Sequence, residues 1–133
     1  MKAADHIRRA RKEAQFLRVI SSLFAQQAAE DERLRALFIN RVELSADGGL
    51  CYIFFYSPDG HAVFDALLPH LILYKPSLRA ALAHEIRARY TPDILFRFDE
   101  RFEKQQRIEA LLDKVARDEA HAPSSPDQTE PSE

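Results

Sequence analysis

Between Arg87 and Glu100 the chain reads Arg-Ala-Arg-Tyr-Thr-Pro-Asp-Ile-Leu-Phe-Arg-Phe-Asp-Glu, and no other stretch restricts the fold as tightly. Proline has no N–H for a helix ladder and pushes the residue before it out of the α region, so a helix entering this stretch must close near Tyr90. Beyond the break, Ile94, Phe96 and Phe98 alternate with Leu95, Arg97 and Asp99, the period of a strand with one face inward. Ile108, Leu111, Leu112 and Val115 then return to helical spacing, which predicts a closing helix from about Glu103 to Arg117. A chain carrying this passage must mix helices with a sheet.

Two further β-type runs supply the rest of that sheet. Phe38 to Leu44 and Leu50 to Tyr56 flank Ala46-Asp47-Gly48-Gly49, a turn whose glycines can take positive φ, and together they predict an antiparallel hairpin. In the second run Cys51, Ile53 and Phe55 share one face; Leu50, Tyr52, Phe54 and Tyr56 share the other. With both faces apolar, this strand is central or has its second face covered. The aromatic row could stack bases, but no RNP signature accompanies it, so packing is the better reading.

The first segment, about Ala4 to Ala29, has no Gly or Pro and spaces Ile7, Ala10, Ala14, Leu17, Ile20 and Phe24 by three or four, as an amphipathic helix does. Arg8, Arg9, Arg11, Lys12 and Arg18 lie mostly off that stripe, with only Asp5 and Glu13 to offset them. They read either as a solvated outer face or as a phosphate-facing surface. Glu30-Asp31-Glu32 reads as a solvated, exposed connector, since an acid run opposes the dipole at a helix C-terminus. After the Ser57-Pro58-Asp59-Gly60 break, a helix carries Val63, Phe64, Leu67, Leu68 and Leu71, with Pro69 predicted to bend it or split it. Lys75-Pro76-Ser77 is a second break, with Pro76 placed to open a new helix carrying Leu78, Leu82 and Ile86. Lys75, Arg79, Arg87 and Arg89 are basic here, answered only by Glu85. The resulting order is α-β-β-α-α-β-α, an α+β domain over residues 1–118. Residues 119–133, rich in Pro, Ser and acids, lack the apolar surface needed to order themselves and predict a disordered acidic tail.

Absences remove several function classes. Cys51 is the single cysteine, so no intrachain disulfide or Cys-based zinc cluster is available, and its apolar strand predicts a buried hydrophobe rather than a reactive thiol. His6, His61, His70, His84 and His121 form no H-x-x-x-H or H-E-x-x-H pattern. With three glycines in the chain, no Walker loop, dinucleotide fingerprint or G-x-S-x-G elbow can be built. No apolar run approaches the ~20 residues that span a bilayer, and no signal peptide is visible, so a cytoplasmic location is expected. Net charge is −2, but residues 1–92 hold 13 Lys/Arg against 10 Asp/Glu while residues 93–133 hold 6 against 11. A basic front and an acidic rear suit an RNA surface better than the sum implies.

Three of these stretches carry a family resemblance. Asn40-Arg41-Val42-Glu43-Leu44-Ser45-Ala46-Asp47 is similar to the first strand and turn of the bacterial ribosome-binding factor A family, where a Val-Glu-Val-Ser-x-Asp type run is usual. Arg89-Tyr90-Thr91-Pro92-Asp93-Ile94-Leu95-Phe96 is similar to its Arg-Tyr-Thr-Pro-Glu-Leu-x-Phe run, with Asp99 as the acid that follows. Arg107-Ile108-Glu109-Ala110-Leu111-Leu112 is similar to its closing helix. The resemblance spans about residues 5–115. The family's Ala-x-Gly kink between the central helices falls on Tyr74-Lys75-Pro76 here, where proline bends the chain by fixing φ rather than freeing it. A KH Gly-x-x-Gly loop is missing, as it is in the family.

The resemblance implies a type II KH-like fold: a three-stranded mixed sheet packed by helices on one face. It implies a monomeric, non-enzymatic assembly factor without metal or cofactor. That factor binds the immature small (30S) ribosomal subunit and its 16S rRNA and assists late maturation and 5′-end processing; family members are associated with growth in the cold. Lys75 and Arg79 at the bend, with Arg87 and Arg89 further along, would neutralise phosphates, and Arg8, Arg9 and Lys12 would add a second strip. The alternative is a protein–protein module that uses the aromatic sheet face, Tyr52, Phe54 and Tyr56.

Overall fold

The computed structural model describes residues 2–87 and 89–121. Their elements are α1 (Lys2–Glu30), a short 3-10 helix (Glu32–Ala36), β1 (Phe38–Leu44), β2 (Leu50–Tyr56), α2 (His61–Glu85), β3 (Asp93–Phe98) and α3 (Glu100–His121). The chain forms two units, one ending at Asp99 and one beginning at Glu100.

In the first unit β2 lies between its neighbours, antiparallel to β1 and parallel to β3. The α+β class with a three-stranded mixed sheet is therefore as expected, and the central place of β2 accounts for its two apolar faces. Pairing aligns Val42 with Ile53 and Phe96, and Leu44 with Cys51 and Ile94. These residues are buried together with Phe16 and Ile20 of α1 and Phe64, Leu71 and Leu82 of α2. Phe55 sits among the rings of Phe24, Phe64 and Phe96 at centroid distances of 5.4, 5.9 and 5.7 Å. Truncating such a side chain typically costs about 4 kcal/mol. The β1–β2 turn places Gly48 at φ 76°, a conformation that resists any side chain.

A bulge in β1 breaks the register between Ile39 and Arg41. Neighbouring residues of a regular strand point to opposite faces, but the extra residue lets Asn40 and Arg41 reach the same group. Asn40 Nδ2 and Arg41 Nε both donate to Oδ2 of Asp99 at 2.8 Å, and Asp99 is only 1% exposed. The acid after β3 thus ties the two outer strands together.

Four local expectations change. Helical structure is present on both sides of Pro76 as expected, but it runs on as one helix, α2, with Pro69 and Pro76 inside it. Seven residues apart, both prolines lie on the exposed side, where the carbonyls they leave unpaired can bond to water. This helix closes at Glu85 rather than near Tyr90, because Ile86 turns extended and buries its side chain. The apolar stripe of α1 is shifted: Ile7, Ala10 and Ala14 are exposed, while Phe16 and Ile20 are buried.

Asp31 is the fourth. Expected in a solvated connector, it is half-buried and caps the 3-10 helix, accepting from the Arg33 N–H. Its Oδ2 lies 2.5 Å from His70 Nε2 and accepts the Tyr74 hydroxyl at 3.0 Å, which fastens this connection to α2. The His70 bond first, and then the Arg33 guanidinium, hold its carboxyl well below the usual carboxylate range.

By itself, α3 is an amphipathic helix with a Glu103–Arg107 ion pair at 2.8 Å. It continues to His121, beyond the helix end expected at about Arg117. The rest of the expected acidic tail, residues 122–133, lies outside the described residues.

Candidate nucleic-acid interface

The basic positions of α1 lie beside the β1–β2 turn because Glu13 anchors the helix there, its Oε2 accepting the Leu44 N–H at 2.8 Å. The turn is held from within: Asp47 Oδ1 accepts the Ser45 hydroxyl at 2.8 Å and the Gly49 N–H at 2.9 Å. These bonds, the Gly49 one first, lower the Asp47 carboxyl below its ordinary range and keep it ionised. Between helix and turn lies a hollow of about 250 Å³ rimmed by Arg8, Arg9 and Lys12, with Asp5 beside them on α1 and Asp47 on the turn.

A second hollow of about 610 Å³ adjoins it and shares Lys12, Leu44 and Gly48. Its other wall is the α2–β3 connection, including Arg87, Arg89 and Tyr90. Buried Ile86 and Pro92 hold that connection down, and the Asp93 N–H donates to the Gly49 carbonyl at 2.9 Å, starting β3 beside the turn. Three stretches remote in sequence thereby surround the two hollows with Arg8, Arg9, Lys12, Arg87 and Arg89, against Asp5, Asp47 and Glu85. Arg87, Arg89 and Tyr90 are exposed, and the Arg89 guanidinium carbon lies 5.6 Å from the centre of the Tyr90 ring.

Lys75 and Arg79 stand elsewhere, lining neither hollow. Lys75 Nζ lies 5.9 Å from the Phe96 ring centre. Arg79 spends two donors on backbone carbonyls, Nη2 to Thr91 at 2.9 Å and Nε to Pro92 at 3.2 Å. The sequence pointed to the cations but not to which of them gather; the Glu13–Leu44 anchor carries no sequence signal.

On the sheet face away from the buried strand residues, the aromatic row is half-buried. The Arg41 guanidinium carbon is 3.7 Å from the Phe54 ring centre, and that of Arg97 is 5.6 Å from Tyr52. Arg41 is further paired with Glu43. These rings already carry cations of their own chain. Among the described residues, no group of three His, Cys, Asp or Glu is placed to hold a metal ion, and no helix is long and apolar enough to cross a membrane.

A mixed three-stranded sheet, helices against one face and a basic rim where α1, the hairpin turn and the α2–β3 connection meet define a small α+β domain of the type II KH-like class. The sequence profile of the Ribosome-binding factor A family matches residues 8–112, and the chain belongs to that family. Ribosome-binding factor A of Rhodopseudomonas palustris (strain BisB18) is 34% identical over 95 residues, covering 70% of this chain and 69% of that protein. The Neisseria meningitidis (strain MC58) protein of the same name is 27% identical over 113 residues, covering 84% and 89%. Among solved structures, ribosome-binding factor A from Thermus thermophilus aligns with a TM-score of 0.53 and 31% identity, covering 66% of this chain and 92% of that one.

Proposed function

We propose that this protein is a non-enzymatic ribosome assembly factor of the cytoplasm that binds the immature small (30S) subunit through its 16S rRNA. In that role it assists late maturation and 5′-end processing, a demand that is greatest in the cold. The observation that carries this reading is the meeting of Arg8, Arg9, Lys12, Arg87 and Arg89 around two adjoining hollows. Membership of a family named for ribosome binding supports it.

Cations around a concave rim neutralise phosphates and recognise the shape of a folded RNA; they do not read base edges. If about four phosphates are engaged, log K falls with log salt at a slope of about −3. The test is a gel shift of small-subunit rRNA fragments at two salt concentrations, alongside sucrose-gradient fractionation of a lysate. Salt-sensitive binding that a Lys12→Glu/Arg87→Glu variant abolishes, with the protein travelling among free small subunits, is the expected result. Binding indifferent to both salt and variant would instead favour a protein-binding module on the sheet face of Tyr52, Phe54 and Tyr56. The arginines over Phe54 and Tyr52 weigh against that reading, because they leave the face less apolar than its sequence suggests.

A further inference from the structure

We infer that Arg79 is a positioning residue for the RNA-facing rim: it acts by clamping the backbone that carries Arg87 and Arg89, and makes no phosphate contact of its own. The inference rests on the RNA reading above and gives one of its basic residues a different task.

Among the described residues, the α2–β3 connection has no helix or strand of its own to fix its course. Helix α2 stops at Glu85 and β3 begins at Asp93, and Arg87, Arg89 and Tyr90 between them are exposed. Left to itself, such a segment samples many conformations, and each cation held ready for a ligand must have that freedom removed on binding. Two kinds of restraint act here. Ile86 and Pro92 are buried at the two ends. At the Pro92 end, the Arg79 guanidinium reaches from α2 and donates to two successive carbonyls, those of Thr91 and Pro92.

The geometry matters because a guanidinium is a rigid planar fork. It can hold two neighbouring acceptors at once, whereas an ammonium is a point donor on a flexible stem. The clamp lies two residues beyond Arg89, so it limits how far the segment can lift from Lys12 and Gly48 across the larger hollow. With two donors engaged by its own backbone and its side chain away from both hollows, Arg79 is better placed to order the rim than to extend it.

Charge and shape can be separated by substitution. Arg79→Lys keeps the positive charge and loses the fork; Arg79→Ala loses both. In the free protein, trypsin cleavage after Arg87 and Arg89 reports the freedom of the segment without any RNA. Both variants should be cut about tenfold faster than wild type there while their melting temperatures stay close to it. With a small-subunit rRNA fragment as probe, both should bind about fivefold more weakly, and adding Arg79→Ala to Arg87→Ala/Arg89→Ala should cost less than about twofold more, because the clamp acts through those two residues. Unchanged cleavage would overturn the inference, as would full affinity in Arg79→Lys or an undiminished penalty in the triple variant. Should Arg79→Ala not fold, Arg79→Lys carries the same cleavage and affinity tests. Failure of the wild-type protein to bind RNA would instead count against the RNA reading, while the cleavage result would still decide the clamp.

Discussion

The carboxylate of Glu13 on α1 accepts the backbone N–H of Leu44, the last residue of β1, at 2.8 Å. Together with the packing of Phe16 and Ile20 on the sheet, this bond joins the basic part of the first helix to the hairpin beside the turn. Replacing Glu13 by Ala leaves that part-buried N–H without its acceptor, which typically costs about 1–3 kcal/mol. Glu13→Gln, which retains a carbonyl acceptor, should lose less. Urea denaturation of the two variants beside wild type gives the comparison, and equal midpoints for all three would contradict it.

Cys51 is enclosed between β1 and β3, and its thiol is pushed up to about 12, by burial first and then by the charge of Glu13. The thiolate is the nucleophile, so the native protein at pH 8 should react with an aromatic disulfide reagent at least ~100-fold more slowly than the unfolded chain. Stopped-flow absorbance with and without denaturant measures both rates. A fast native reaction would place Cys51 outside the core.

Asp31 should make the fold acid-sensitive in a particular window. Its carboxyl is held below the ordinary range, by His70 first and then Arg33, so its folded form binds a proton less readily than the unfolded chain does. The stabilisation is therefore fully present above the unfolded value of about 4 and is lost progressively as pH falls from there through the lower folded value. Thermal melts of wild type and Asp31→Asn should differ clearly at pH 7, and the gap should start to narrow only below about pH 4. A gap that widens on acidification would have the wrong sign.

Asp99 is the most buried charge described, and both Asn40 and Arg41 depend on it. Asp99→Ala strips Arg41 of one carboxylate and removes the tie between β1 and the end of β3. Breaking a buried ion pair from one side costs about 3 kcal/mol. A double-mutant cycle with Arg41→Ala should show strong coupling, and additive losses would mean that the two side chains act independently.

The sheet was legible from sequence. The limits Phe38–Leu44 and Leu50–Tyr56 match the alternating runs, and Ile94, Phe96 and Phe98 face inward as their period requires. Alternation is a local signal, and strands obey it wherever one face is buried. Pro76 misled because proline's cost depends on where its partner carbonyl points, and that depends on tertiary packing. Asp31 was misread for a similar reason: its partners His70 and Tyr74 lie 39 and 43 residues away, and no local pattern announces them. For the site, sequence supplied the candidates in α1 and near Tyr90, while the choice among them followed from how the hairpin turn sits between those two stretches.

Since the rim is assembled from the first helix, the hairpin and the stretch leading into β3, an unfolded chain holds the same positive charges without bringing Arg8, Arg9 and Lys12 to Arg87 and Arg89. On the proposed RNA-binding reading, affinity for RNA is then a measure of how much of the chain is native. Reciprocally, an RNA bound in this way should stabilise the intact domain by about 2.7 kcal/mol when present at a hundred times its dissociation constant, and so raise its melting point. On the same reading, a variant such as Asp99→Ala, which lines neither hollow, would release its RNA at the temperature where its sheet opens.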